Sequence, residues 1–197
     1  VGSGDWDDKT IWSNSSGGSG DTCGATGGFP GVVGGGPSGG YEAVIESSQF
    51  ADVNSTTGNI TVGKLTINDG ATGVFLYGAN LTVENDLNVG ESSNPSGAAI
   101  ESYFLNRGNI DGSGILQVQG NSTVWGTLGV DRESGGTGEV DIQGDLTVKS
   151  SGTVKVDRVE PSTIAPLSIG GTLTHENTAT DSFNANSSSS VTVNQLV

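Results

Sequence analysis

Three acidic residues near the start of the chain, Asp5, Asp7 and Asp8, are the clearest grouping that could hold a metal ion. Hard cations such as Ca²⁺ prefer clustered oxygen ligands, so this Asp-x-Asp-Asp run is a candidate calcium site. The run lacks the glycine and the distal glutamate of an EF-hand loop. Apart from calcium at this run, we expect no cofactor.

Residues that could carry catalysis are sparse. The chain has one histidine and one cysteine, His175 and Cys23, too few for a four-ligand zinc site without unusual carboxylate use. His175 takes the last apolar position of a strand pattern, so we expect a structural role for it. Carboxylates with arginines nearby can cleave polysaccharides by acid–base catalysis. The candidate residues of these types are Asp131, Arg132, Glu133, Asp141, Asp145, Asp157 and Arg158.

The position of Asp145 argues for a turn rather than for catalysis. Asp86 occupies the equivalent place in another copy of the same pattern, and both lie where two short strands meet. Asp is common at such corners because its side chain hydrogen-bonds to nearby backbone. We therefore expect the protein not to be an enzyme.

The charge balance excludes other classes of function. The formal net charge is −15, with 7 Lys and Arg against 22 Asp and Glu, so the chain cannot supply the broad basic surface that nucleic-acid binding needs. No apolar run approaches the ~18 residues of a membrane span, so we expect no membrane insertion.

The elements that position these residues follow a nine-residue pattern, apolar-x-apolar-x-(Gly/Asn)-x-apolar-x-apolar. Copies read LTVENDLNV (81–89), LQVQGNSTV (116–124), VDIQGDLTV (140–148) and LSIGGTLTH (167–175), with a shortened ITVGKLTI (60–67) and a truncated VTVNQLV (191–197). Each copy is two short strands joined at a small corner. Since no copy can bury its apolar residues alone, the copies must stack.

The spacing of the copies predicts the fold. Their starts are separated by 21, 35, 24, 27 and 24 residues, which fits one coil of about three short strands. We predict an all-β parallel β-helix, or β-solenoid, of roughly seven turns, with an insertion at 91–109 in the longest step. A β-sandwich or jelly roll is the alternative.

The N-terminal residues 1–40 differ from the repeats at 41–197, because they are rich in glycine and lack regular alternation. They nevertheless carry large apolar side chains, at Trp6, Trp12, Phe29, Val32 and Val33. Since the terminal strands of a stack have open edges, we predict that this segment is an ordered cap or docking element.

The repeats and the opening motif resemble those of bacterial secreted and surface β-helix proteins. The matching residues are Gly4-Asp5-Trp6, Trp12-Ser13, Pro30-Gly31, Ala43-Val44-Ile45 and the LTVxGDLxV-type copies. The resemblance implies a right-handed β-helix in an extracellular or cell-surface setting. Members of that group include adhesin-like segments, surface-layer and filament components and polysaccharide-acting enzymes.

The truncated last copy indicates a function. Val191, Val193, Leu196 and Val197 form a predicted assembly edge, at which another copy of the chain continues the strands. We expect a structural subunit that stacks end to end into a filament or surface layer. The alternative is an adhesive domain that binds surface glycans through Tyr77, Tyr103, Phe104 or Trp125. A weaker alternative is an ice- or mineral-binding face of Thr82, Thr147, Thr174 and Thr192.

Overall fold

A computed structural model gives the architecture of the chain. It describes residues 4–6, 32–33, 42–54, 56–91, 99–102, 114–130, 138–156, 167–179, 182–185 and 191–196. These residues form nineteen strands, numbered here in chain order, and no helix. The strands are arranged in three ladders, each containing one strand from every coil.

The first ladder takes every third strand of the chain, except that its last member follows two strands after the one before it. Its members, from one end to the other, are β1 (Gly4–Asp5), β4 (Phe50–Asn54), β7 (Gly73–Tyr77), β10 (Ala99–Ser102), β13 (Thr127–Val130), β16 (Thr153–Val156) and β18 (Phe183–Ala185). All neighbours in this ladder are parallel.

The nine-residue copies build the other two ladders. The first strand of each copy lies on the second ladder, and the second strand of the copy lies on the third. The second ladder contains β2 (Val32–Val33), β5 (Ile60–Val62), β8 (Asn80–Val83), β11 (Ile115–Val118) and β14 (Glu139–Ile142). The third contains β3 (Glu42–Ile45), β6 (Lys64–Ile67), β9 (Leu87–Val89), β12 (Ser122–Val124) and β15 (Leu146–Val148). The long strands β17 (Leu167–His175) and β19 (Val191–Leu196) span both ladders.

The register of the second ladder reproduces the spacing of the sequence copies. The first residue of each copy is the pairing partner of the first residue of the next copy. These first residues are, in chain order, Ile60, Leu81, Leu116, Val140, Leu167 and Val191. Parallel pairing in one register aligns like side chains into columns, and alternate residues of most strands are buried. The predicted parallel β-solenoid is therefore confirmed. The sandwich alternative is wrong, because the named strands pair in parallel everywhere except between β2 and β5.

The predicted number of turns, roughly seven, is wrong. In the described residues about four turns have three separate parallel strands: β4–β6, β7–β9, β10–β12 and β13–β15. The layers at the two ends are irregular, because β2, which lies in one layer with β1 and β3, is antiparallel to its neighbour, β16 is followed by the fused β17, and the last layer holds only β18 and β19. The spacing of the sequence copies does not distinguish such end layers from complete turns. The stretch 91–109, in which the sequence predicts both an insertion and a strand at 98–105, contains the regular strand β10, which pairs with β7 and β13.

A continuous corner joins the second and third ladders. The backbone N–H groups of Asn85, Gly120, Gly144 and Gly171 each donate to the carbonyl of the preceding coil, over 2.8–3.1 Å. The coils approach so closely here that a Cβ atom at Gly120 would lie 2.5 Å from the carbonyl oxygen of Asn85. Glycine at this corner thus permits the axial hydrogen bonds.

Candidate functional site

The strand β19 ends the described stack on its C-terminal side. It pairs in parallel with β17, with Val191 beside Leu167, Val193 beside Ile169 and Leu196 beside Leu173. Leu167 and Ile169 are buried, whereas Val191 and Val193 are only partly buried against the core and Leu196 is 72% exposed. No described strand pairs with the outer edge of β19. This edge therefore displays backbone hydrogen-bonding groups together with apolar side chains.

The N-terminal side of the stack exposes no large apolar side chain among the described residues. Trp6 is 0% exposed and belongs to the hydrophobic core, and its backbone N–H donates to the carbonyl of Asp52 over 2.8 Å. Ala43 and Ile45 of β3 are also buried. The two ends of the described solenoid thus differ in how much apolar surface they expose.

The strands of the N-terminal segment lie on the first coil. β1 pairs in parallel with β4, and β2, which contains Val32 and Val33, pairs antiparallel with β5. For Val32 and Val33 the structure describes the backbone alone. The other predicted cap residues, Trp12 and Phe29, lie outside the described residues, as does Val197 of the predicted assembly edge. The cap and assembly roles of these residues stay predictions.

Of the three candidate calcium ligands, the structure describes Asp5 alone; Asp7 and Asp8 lie outside the described residues. The Asp5 carboxylate is exposed, and its Oδ1 accepts a hydrogen bond of 2.7 Å from Asn54 Nδ2. Within the described ranges, no group of three or more His, Cys, Asp or Glu side chains could hold a metal ion. Calcium at this run therefore stays a prediction.

The corner carboxylates act on the backbone of the neighbouring coil. Asp86 Oδ1 accepts from the N–H of Asn121 over 3.0 Å, and Asn121 Oδ1 accepts from the N–H of Asp145 over 2.9 Å. Asp145 Oδ1 in turn accepts from the N–H of Thr172 over 2.7 Å. These contacts join neighbouring coils, whereas the sequence predicts hydrogen bonds from Asp86 and Asp145 to the backbone of their own turns.

The other members of the acidic and arginine group are dispersed or not described. Asp141 lies on the second ladder between Gln117 and Ser168, with no other carboxylate of the group on that ladder. The remaining five fall outside the described residues: Asp131, Arg132, Glu133, Asp157 and Arg158. The described part of the chain thus does not bring these carboxylates together.

His175 lies at an inward position of the third ladder, beside Val148. Its ring packs edge-on against Phe183, and its Nε2 lies 3.1 Å from the Oγ of the buried Ser182. Ser182 Oγ also contacts the carbonyl oxygens of Ala179 and Asn177, at 2.8 and 3.1 Å. The Ser182 hydroxyl has one proton, which it donates toward the two carbonyl oxygens, so its oxygen is left to accept from other groups. The arrangement ties a loop to the end of β17, and sequence reasoning did not find Ser182 because nothing in its spacing marks it.

Among the aromatic residues predicted to bind glycans, the structure describes one side chain, that of Trp125, which is half-buried. Lys149 Nζ lies 5.7 Å from the centroid of its ring and 2.7 Å from Glu176 Oε1. Tyr77 is described in its backbone alone, and Tyr103 and Phe104 lie outside the described residues. The sequence analysis missed an aromatic pair, Phe50 and Phe75, whose ring centroids are 6.3 Å apart.

The four threonines considered as an ice- or mineral-binding face do not share one ladder. Thr82 and Thr192 lie on the second ladder, where Gln117, Asp141 and Ser168 stand between them. Thr147 and Thr174 are neighbours on the third ladder. The predicted array is therefore split between two ladders.

Comparison with known proteins gives no further assignment. No protein-family model, no curated protein and no solved structure matches this chain. In the described part of the chain, no helix is both long and apolar enough to cross a membrane.

Proposed function

We propose that the protein is a non-enzymatic extracellular structural subunit, and that copies of it stack end to end into a filament or surface layer. The observation that carries the proposal is β19, whose outer edge pairs with no described strand and whose Leu196 is 72% exposed. An unpaired strand edge with apolar side chains is a template for another chain. The extracellular setting is supported by the resemblance of the repeats to those of secreted β-helix proteins.

The chemistry of β19 favours association over solvation. The strand VTVNQL contains no ionisable residue, so it lacks the charges that commonly protect sheet edges from pairing. Burial of one leucine side chain contributes about 1.5–3 kcal/mol. A partner strand would bury Leu196 and complete the cover of Val191 and Val193, which are only partly buried in the single chain.

A charged side chain placed on the outer edge of β19 tests the proposal. Leu196→Asp costs the isolated chain little, because the side chain is already exposed, but it would put a carboxylate into the contact. Thr147→Asp changes the net charge equally in the middle of the stack, on the third ladder, and is the matched control. Sedimentation velocity over a range of concentrations and negative-stain microscopy measure assembly.

We expect end-to-end polymers from the unmodified protein and from Thr147→Asp, and monomers from Leu196→Asp. Thermal unfolding should show that both variants remain folded. An unmodified protein that is monomeric at every concentration, or a Leu196→Asp variant that still polymerises, would overturn the proposal.

A further inference from the structure

The end-to-end contact has a direction and a register that the third ladder specifies. Each end of the described stack offers one strand to each ladder: β1, β2 and β3 at the N-terminal end, β18 and the two halves of β19 at the C-terminal end. Resting on the proposed function, we infer that the contact is head to tail, with β3 of the next copy following β19 in the third ladder.

Strand direction supports this arrangement. Neighbouring strands are parallel throughout the third ladder. A head-to-tail contact keeps that sense from one copy to the next, and such a heterologous contact does not close on itself, so it propagates. A contact between two C-terminal ends would reverse the strand direction at the junction and stop at a dimer.

The charges disfavour contact between two N-terminal ends. Asp5 of β1 and Glu42 of β3 are both exposed on that side of the stack, and two such ends would bring like charges together. Because β19 is uncharged, it can contact the acidic N-terminal end of another copy without that repulsion.

The register places one pair of side chains opposite each other. Glu42 begins the outward column of the third ladder, where it lies beside Lys64 and its Oε1 is 3.1 Å from Lys64 Nζ. Gln195 ends that column, beside Thr172. When the next copy continues the ladder, its Glu42 lies one strand spacing, about 4.8 Å, beyond Gln195.

Charge substitutions at Gln195 test the pairing. Gln195→Lys would place an ammonium group against Glu42 of the next copy, and Gln195→Glu would place a carboxylate there. Opposite charges across neighbouring strands stabilise the contact and like charges destabilise it. We expect the association constant to rise about two- to fivefold with Gln195→Lys and to fall by a similar factor with Gln195→Glu.

The same two substitutions in a Glu42→Gln background are the control. If the inferred pair exists, the difference between lysine and glutamate at position 195 is mostly lost when Glu42 is neutral, and it shrinks in the parent background at high salt. Sedimentation equilibrium measures each association constant, and thermal unfolding checks that each variant is folded.

The outcomes separate this inference from the proposed function. If the protein polymerises but the effect of position 195 is independent of Glu42, the register is wrong and the end-to-end proposal stands. A dimer that does not grow further points to contact between two C-terminal ends and overturns the head-to-tail direction. A protein that remains monomeric overturns both proposals.

Discussion

Asn54 Nδ2 donates to Asp5 Oδ1 over 2.7 Å, and this contact ties the N-terminal strand β1 to the first ladder. Asn54 is 1% exposed, and its Oδ1 accepts from the backbone N–H groups of Thr56 and Thr57, at 2.9 and 3.1 Å. One buried amide therefore joins the N-terminal segment to the turn after β4.

Replacing Asn54 by alanine should lower the free energy of unfolding by about 2–3 kcal/mol, because it leaves two N–H groups and a carboxylate without their partner. Urea denaturation followed by circular dichroism measures the loss. Asn88→Ala is the control: Asn88 is half-buried on the third ladder, and a change within ~0.5 kcal/mol is expected there. Equal losses of unfolding free energy in the two variants would show that the hydrogen bonds of Asn54 do not stabilise the fold more than an ordinary half-buried side chain does.

Trp6→Ala should destabilise the protein by about 3–5 kcal/mol, since it empties a fully buried position at the N-terminal end of the core. Coils of a solenoid interact mainly with their neighbours, so hydrogen exchange should accelerate first in β4 and β5, with β14 affected least. Trp125→Ala removes the same atoms from a half-buried site and should cost about 1 kcal/mol or less through its contact with Lys149. Uniform acceleration along the whole stack would contradict this local role.

Gly144→Ala should destabilise the protein by about 1–3 kcal/mol. A Cβ atom at this position would collide with the carbonyl oxygen of Gly120, so the coils would have to separate at the corner. The adjacent Gln143 is exposed, and Gln143→Ala should leave the urea midpoint nearly unchanged. If both variants unfold at the same midpoint, the corner tolerates a side chain.

Ser122→Ala should stabilise the protein by about 1 kcal/mol. Ser122 lies between Leu87 and Leu146 in an inward column, is 1% exposed, and its hydroxyl oxygen has no hydrogen-bond partner. Removing an unpaired buried hydroxyl removes a desolvation cost. Thr123→Ala changes the neighbouring, half-buried side chain and should not raise the midpoint of thermal unfolding. A fall in stability with Ser122→Ala would show that the hydroxyl is satisfied in solution.

Much of the fold could be predicted from the sequence because the repeated copies are themselves the pairing units. The first residues of the copies, such as Leu116 and Val140, are direct partners in the second ladder. The corner position of Asp86 and Asp145 was predictable for the same reason, but the hydrogen bonds of their side chains to the neighbouring coil were not. The strands of the first ladder were harder to place, because their sequences share no repeat pattern.

The features that the sequence did not reveal depend on contacts between distant positions. Asn54 and Asp5 are 49 residues apart, and no local pattern marks either as a partner of the other. Ser122 occupies a slot that holds leucine in the neighbouring coils, and its burial depends on register rather than on its own polarity. The number of turns was overestimated because the repeat spacing does not show that the layers at both ends of the stack are irregular or incomplete.

The coils keep one register although the step between them varies from 21 residues, at Ile60 and Leu81, to 35 residues, at Leu81 and Leu116. Extra length is absorbed entirely in the connections, where lengthening a loop adds only about 0.6 kcal/mol per doubling. A single inserted residue inside a nine-residue copy would instead turn the following side chains to the wrong side of the strand. The chain can therefore gain or lose residues between its strands over evolutionary time while its interior keeps the same spacing, and the stretches between strands are the natural places at which to graft new peptides.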